Sequence, residues 1–264
     1  MRYLPDPRGE SPIHQASAGV KLALTLAYIV AVNLTPQGAW PIYALHALMV
    51  VVVLVVARLP GRAVMARLAV AAPFLLLALL GLPFTPGGHV VATIRIEPYL
   101  WAITDTGVRA LVTVIARGGL SLLAAIVLGL TTPFADMVRA AQRAGLPAEL
   151  AQVLLLMYRY LDLLVDEAQR LIRARAARSV AEPTARRAGG TILWRARITG
   201  TMIGTLFLRA YERSERVYQA MLARGFDGEI RTLSRMRPTR AELVAAAAGM
   251  GLVLCTVLIG HLRW

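Results

Sequence analysis

Two tripeptides carry the chemistry most in need of explanation, Ala177-Arg178-Ser179 and Ala223-Arg224-Gly225. In each, an arginine stands between small residues where a run of helical pattern ends. A guanidinium presents a rigid, planar fork of donors to carboxylates or carbonyls, and small neighbours let a partner backbone come close. An arginine in a last helical turn also partners the helix dipole, which is worth ~0.3–1 kcal/mol. The tripeptide alone therefore decides little, and a third copy, Ala116-Arg117-Gly118, lies inside an apolar run. Its occurrence at two helix ends of one polar segment is the informative feature.

Covalent chemistry has little to work with. No G-x-x-x-x-G-K-[ST] loop occurs, nor a nucleophile elbow, a zinc helix motif or a paired-carboxylate hydrolase site. The histidines His14, His46, His89 and His261 are far apart and form no ligand-spaced pair. Cys255 is the sole cysteine, which excludes an internal disulfide and a cysteine metal cluster. The chain therefore reads as non-catalytic, with no cofactor or metal of its own. His46, a lone imidazole on an apolar run, reads as a packing residue, and Cys255 as a small apolar filler. Arg117 would be costly in a bilayer and reads as tied to backbone carbonyls or snorkelling to the interface.

The elements that must position these residues divide between membrane and water. Hydrophobic residues make up 57% of the 264 and the mean hydropathy is +0.60, more apolar content than a soluble domain of this length ordinarily carries. Five segments approach the ~20 apolar residues that cross a ~30 Å bilayer core as helix: 19–35, 39–57, 64–84, 107–132 and 243–260. The first contains Lys21, placed to snorkel; the third contains Arg67 and Pro73; the last is rich in small residues, which lets helices approach closely. The leader contains Asp6 and Glu10 and runs into the first apolar stretch without a persuasive cleavage site, so it reads as a retained span.

Charge sets the orientation. Arg2 and Arg8 precede the first span and Arg58 and Arg62 join the second to the third, whereas residues 85–106 hold one base, Arg95, against Glu97 and Asp105. By the positive-inside rule the N-terminus is cytoplasmic and 85–106 lies outside. The net charge of +14 is concentrated in residues 132–240, which hold 19 of the 29 basic and 10 of the 15 acidic residues. A charge of this size suits nucleic acid, an anionic membrane surface or an acidic partner. Acids interleave with the bases, as in Glu212-Arg213 and Glu215-Arg216, where a nucleic-acid face would set bases beside stacking aromatics.

That segment is helical by pattern. Pro133 opens a short helix that Gly145 and Pro147 end. The next runs from about Ala148 to Arg178, with Leu150, Leu154, Met157, Leu161, Leu164, Ala168 and Leu171 as one apolar stripe. Asp166 and Arg170 stand at a favourable i,i+4 spacing. After "VAEPTARRAGG", a second long helix runs from about Ile192 to Arg224 and is ended by Gly225 and Gly228. The expected class is all-α: a polytopic membrane protein with about five transmembrane helices and a cytoplasmic module of one short and two long helices. Its divisions are 1–131, 132–240 and 241–264.

The stretches "TTPFADMVRAAQRAGLP" (131–147), "YRYLDLLVDEAQRLIRARAARS" (158–179) and "LFLRAYERSERVYQAMLARGFDG" (206–228) resemble the cytoplasmic signature of the transmembrane T-component of energy-coupling factor transporters, a branch of ABC importers. The third resembles the cobalt/nickel, CbiQ-like branch more than the vitamin branch. The resemblance implies a coupling role, in which the ends of two long cytoplasmic helices dock into grooves on two ATPase subunits. Carried over, Ala177, Arg178 and Ser179 would engage one ATPase, and Ala223, Arg224 and Gly225 the other. It also implies that ATP is bound by those partners and the metal ion by a separate, CbiM-like membrane substrate-binding subunit, with room for a further small membrane subunit. The setting would be the cell (inner) membrane, and the cargo cobalt or nickel. The alternatives are a T-component serving a vitamin-type substrate, or a self-sufficient channel or secondary transporter. The latter predicts polar or acidic residues along a path through the spans, or inverted repeats, and neither is evident.

Overall fold

The computed structural model describes residues 11–79, 82, 89–96, 99–178, 191–228 and 239–263. Its elements are, in chain order, α1 (Pro12–Gln15), α2 (Ala18–Leu34), α3 (Trp40–Val56), α4 (Gly61–Leu79), β1 (Val90–Ile96), β2 (Tyr99–Thr104), α5 (Asp105–Thr131), α6 (Phe134–Arg143), α7 (Ala148–Arg178), α8 (Ile192–Leu222) and α9 (Arg240–Arg263). The chain divides into two compact units, one of residues 6–140 with 235–264 and one of residues 1–5 with 141–234.

In the first unit α5 is the centre, packed by α2, α3 and α4, while α9 lies along α2. The buried core joins Tyr28, Ala31 and Val32 of α2 to Tyr43 and Val50 of α3, Leu120 and Ala124 of α5 and Val253 of α9. Small residues set how closely α9 approaches. A Cβ on Gly249 would lie 3.3 Å from Leu24 Cδ2, and one on Gly260 would lie 3.2 Å from Ile42 Cδ1 and from Pro36 Cδ. Asp105–Thr131 and Glu242–Gly260 are long and apolar enough to cross a bilayer, while α2 and α3 are apolar but shorter. At 17 residues each, the last two span ~25 Å at 1.5 Å per residue. Many apolar side chains of these helices face outward, Val55 at 70% and Leu258 at 65% exposure among them, as lipid contact requires and water would not favour.

The helical class holds, with one departure inside the segment read as an external link. β1 and β2 form an antiparallel pair with Arg95 opposite Leu100 and Ile96 opposite Tyr99, and an irregularity between Val90 and Ala92. The β-branched run Val90-Val91-Ala92-Thr93-Ile94 is the local cause. Thr104 then caps α5, its Oγ1 accepting from Gly107 N at 3.1 Å.

Four side chains test the roles read for them, and two of them, Cys255 and Lys21, depart. Arg117 donates from Nε to Tyr43 Oη at 2.9 Å and from Nη2 to the Thr35 carbonyl, so the arginine inside α5 is tied to a carbonyl, one of the two roles read for it. His46 is fully buried and packs edge-on against Tyr28 with ring centroids 5.4 Å apart. Cys255 is exposed and so fills no gap among the described residues. Lys21, expected to snorkel, instead donates from Nζ to the carbonyls of His14 and Thr131, both at 3.1 Å. The open C-terminal carbonyls of α5 offer it a partner nearer than water.

Candidate functional site

The second unit is built on α7 and α8, each of 31 residues, or about 46 Å at 1.5 Å per residue. Its entry is shaped by glycine. Gly145, at φ +117°, lets Leu146 N donate to Ala141 O and Gly145 N to Gln142 O, at 3.0 and 3.2 Å. These are the paired closing bonds of a helix ending in a left-handed residue. Pro147 then precedes α7.

The end of α8 repeats the device. Gly225 has φ +79°; Phe226 N donates to Met221 O and Gly225 N to Leu222 O, both at 3.0 Å. Ala223 and Arg224 thus wind on as the last turn beyond Leu222, and only a residue tolerant of positive φ fits at 225. Phe226 folds back beside Met221 into an apolar groove of about 290 Å³, lined also by Leu156, Tyr160 and Leu164 of α7 and Val217 of α8. Gln152 Nε2 donates to the Gly228 carbonyl at 2.7 Å, which ties the segment after the tip to the start of α7. Arg209 pairs with Glu167 across the two helices.

This turn leaves Ala223, Arg224 and Gly225 exposed. Among the described residues no carboxylate or carbonyl pairs with the Arg224 side chain. The contrast with Arg117 is physical: one copy of the Ala-Arg-Gly tripeptide spends its donors on Tyr43 and Thr35, and the other presents them outward. Ala177 is exposed in the last turn of α7, and Arg178 is the last residue of that helix. The Arg178 side chain and Ser179 lie outside the described residues.

The faces of the long helices depart in part from the periodicity. Of the expected α7 stripe only Leu164 lines the groove; Leu150, Met157 and Leu161 are exposed. Arg170 lies 4.0 Å from Glu167, three residues before it, rather than pairing with Asp166. No residue of α8 is buried, and Ile203, Phe207 and Leu208 are 61–67% exposed. Among the described residues both helices thus keep large apolar surface unpartnered, as a subunit of an assembly does. Spacing did not reveal Phe226, Gln152 or Arg209. Only Phe226 had a signal, an apolar residue directly after a helix-ending glycine.

Comparison with known proteins gives the family. Residues 9–234 match the model of the family CbiQ, cobalt transport protein. A "Cobalt transport protein CbiQ" of Rhodobacter capsulatus is 33% identical over 67% of this chain and 67% of its own length. An "Energy-coupling factor transporter transmembrane protein EcfT" of Leuconostoc gelidum subsp. gasicomitatum is 29% identical over 98% of this chain and 95% of its own. A "Putative fused cobalt transport protein CbiMQ" of Methanocorpusculum labreanum is 26% identical over 83% of this chain and 35% of its own. The chain belongs to the CbiQ family of cobalt transport proteins and is a transmembrane component of an energy-coupling factor transporter.

Proposed function

We propose that this chain is the coupling subunit of an energy-coupling factor importer for a divalent transition metal, cobalt or nickel. In this reading α2, α3, α4, α5 and α9 span the membrane, the N-terminus is cytoplasmic, and α6, α7 and α8 form a cytoplasmic module within 132–240. The tip Ala177-Arg178-Ser179 docks on one ATPase subunit and Ala223-Arg224-Gly225 on the other. ATP is bound and hydrolysed by those partners, and the metal is carried by a CbiM-like membrane subunit. The fused CbiMQ relative, whose printed name joins two such components in one chain, supports a partner of that kind.

The observation that carries the reading is Arg224, held at the end of a 31-residue helix by a glycine-closed turn, with no partner for its guanidinium among the described residues. A stiff helix moved as a body by closure of an ATPase pair delivers that motion far from the tip. The unpartnered apolar faces of α7 and α8 are surface on which the substrate-binding subunit can be repacked or tilted. Purification of the tagged chain from membranes tests the reading: ATPase subunits and a metal-binding membrane subunit should be recovered with it. Recovery of the chain alone, or metal transport by the chain alone in vesicles, would refute it.

One observation favours a second reading of the cargo. The relative named EcfT aligns along 98% of this chain, the one named CbiQ along 67%. A T-component serving another substrate, such as a vitamin, would show the same ATPase capture but no metal-dependent uptake.

A further inference from the structure

The chain has 29 basic residues and only one of them, Lys21, is lysine. Its Nζ donates to the carbonyl of His14 in α1 and to that of Thr131, the last residue of α5. The Thr131 carbonyl is one of the open acceptors at a helix C-terminus, where a cation is favoured. A tetrahedral ammonium can place separate donors on carbonyls arriving from different elements; a planar guanidinium directs its donors within one plane.

Two carboxylates complete the corner. Glu242, in the first turn of α9, accepts from Ser17 N at 3.4 Å and Thr239 N at 3.3 Å, and its own N–H donates to Thr239 Oγ1 at 3.3 Å. Glu242 thereby ties the start of α9 to Ser17, the N-cap of α2. Asp136, in the first turn of α6, holds Arg139 at 2.7 Å. Packing adds to this, since Ala140 of α6 lies against Gly19 of α2 and Val138 is buried.

The topology makes the corner significant. The chain leaves the membrane unit through Thr131 and α6 and returns to it at Thr239–Glu242, and the whole of residues 141–234 lies between. We infer that Lys21 is a positioning residue that pins the exit of the cytoplasmic module to the start of α2, beside the Ser17–Glu242 bond that holds the re-entry, so that movement of the module reaches the membrane helices. The inference rests on the coupling role proposed above. With Lys21 neutral, α6 and the start of α9 shift against α2, and ATP is hydrolysed with less transport.

The test is the ratio of metal uptake to ATP hydrolysis in the purified complex, reconstituted in phospholipid vesicles, for wild type, Lys21→Met and Glu242→Gln. Both variants should assemble with the ATPase subunits and hydrolyse ATP within about twofold of wild type. Uptake per ATP should fall about tenfold in Lys21→Met, the scale set by losing charge-assisted bonds, and by less in Glu242→Gln. An unchanged ratio in the variants overturns the inference. If Lys21→Met fails to assemble, the Glu242→Gln ratio decides alone, and an unchanged value there overturns it. A wild-type preparation that captures no ATPase would instead overturn the coupling function itself.

Discussion

Arg117 and Tyr43 make a pair of substitutions whose order of effect can be worked out. Replacing Tyr43 by Phe removes the acceptor of Arg117 Nε at 2.9 Å and the donor to Thr35 O at 3.1 Å, while the guanidinium stays. Polar bonds within membrane bundles average ~0.6 kcal/mol and reach ~1.7, so losing two costs ~1–3 kcal/mol with nothing to offset it. Replacing Arg117 by Met also loses two bonds, to Tyr43 Oη and to Thr35 O. That change, however, removes the charge, whose placement in a bilayer costs up to ~2.5–3.5 kcal/mol at the midplane and less toward the interface. Thr35 is the C-cap of α2 and Tyr43 sits in the first turns of α3, so Arg117 is level with the ends of those helices and the offset is partial. Tyr43→Phe should therefore be the more damaging change, since the charge stays while one of its two bonds is lost, whereas Arg117→Met removes the charge itself. At ~2–4 °C per kcal/mol for a chain of this size, Tyr43→Phe should lower the thermal midpoint in detergent by ~2–12 °C. Arg117→Met should lower it by less. A clearly larger loss in Arg117→Met would refute the reasoning and mean that Arg117 does more than tie α5 to the α2–α3 turn.

Further outcomes follow from single positions. Gly260→Leu must displace Ile42 or Pro36, 3.2 Å from its Cβ, and should cost ~1–3 kcal/mol by overpacking, read as a fall in the thermal midpoint. Gly225→Ala places a side chain at φ +79° and should loosen the α8 tip by ~1–2 kcal/mol, seen as faster amide exchange at Gly225 and Phe226. His14 should titrate below the ordinary imidazole value of 6.5, because burial and then the Lys21 ammonium disfavour its charged form, although the protonated ring can donate to the Leu130 carbonyl. Folding prefers the neutral ring, so its contribution is present above 6.5 and lost as pH falls through the lowered value; NMR of labelled histidine reads it directly.

The helices themselves were legible because their ends carry strong local signals. Pro133, the Gly145–Pro147 pair, Gly225 and the apolar periodicity place α6, α7 and α8 within two residues of their observed bounds. The apolar runs likewise place α2, α3 and α5. The hairpin of β1 and β2 was not read, because a short β-branched run between spans is easily taken for a link. Other departures share one cause: periodicity states which residues lie on one face but not which neighbour meets it. Hence the α7 stripe omits Leu156 and Tyr160, Cys255 reads as a small apolar filler, and Lys21 reads as snorkelling. The tip of α8 was legible as a tripeptide. Its exposure, and the occupation of the copy at Arg117, came only from the tertiary contacts that spend one guanidinium and leave the other open.

In the proposed function Arg178 and Arg224 connect this chain to ATP-driven transport. Arg224 makes no side-chain bond among the described residues, so Arg224→Glu should leave folding within ~0.5 kcal/mol. Loss of a desolvated charge contact with an ATPase would cost ~2–5 kcal/mol of binding. ATP-dependent cobalt or nickel uptake should fall in Arg178→Glu and in Arg224→Glu, and vanish in the double variant, with membrane insertion normal throughout. Wild-type uptake by the double variant would contradict the account.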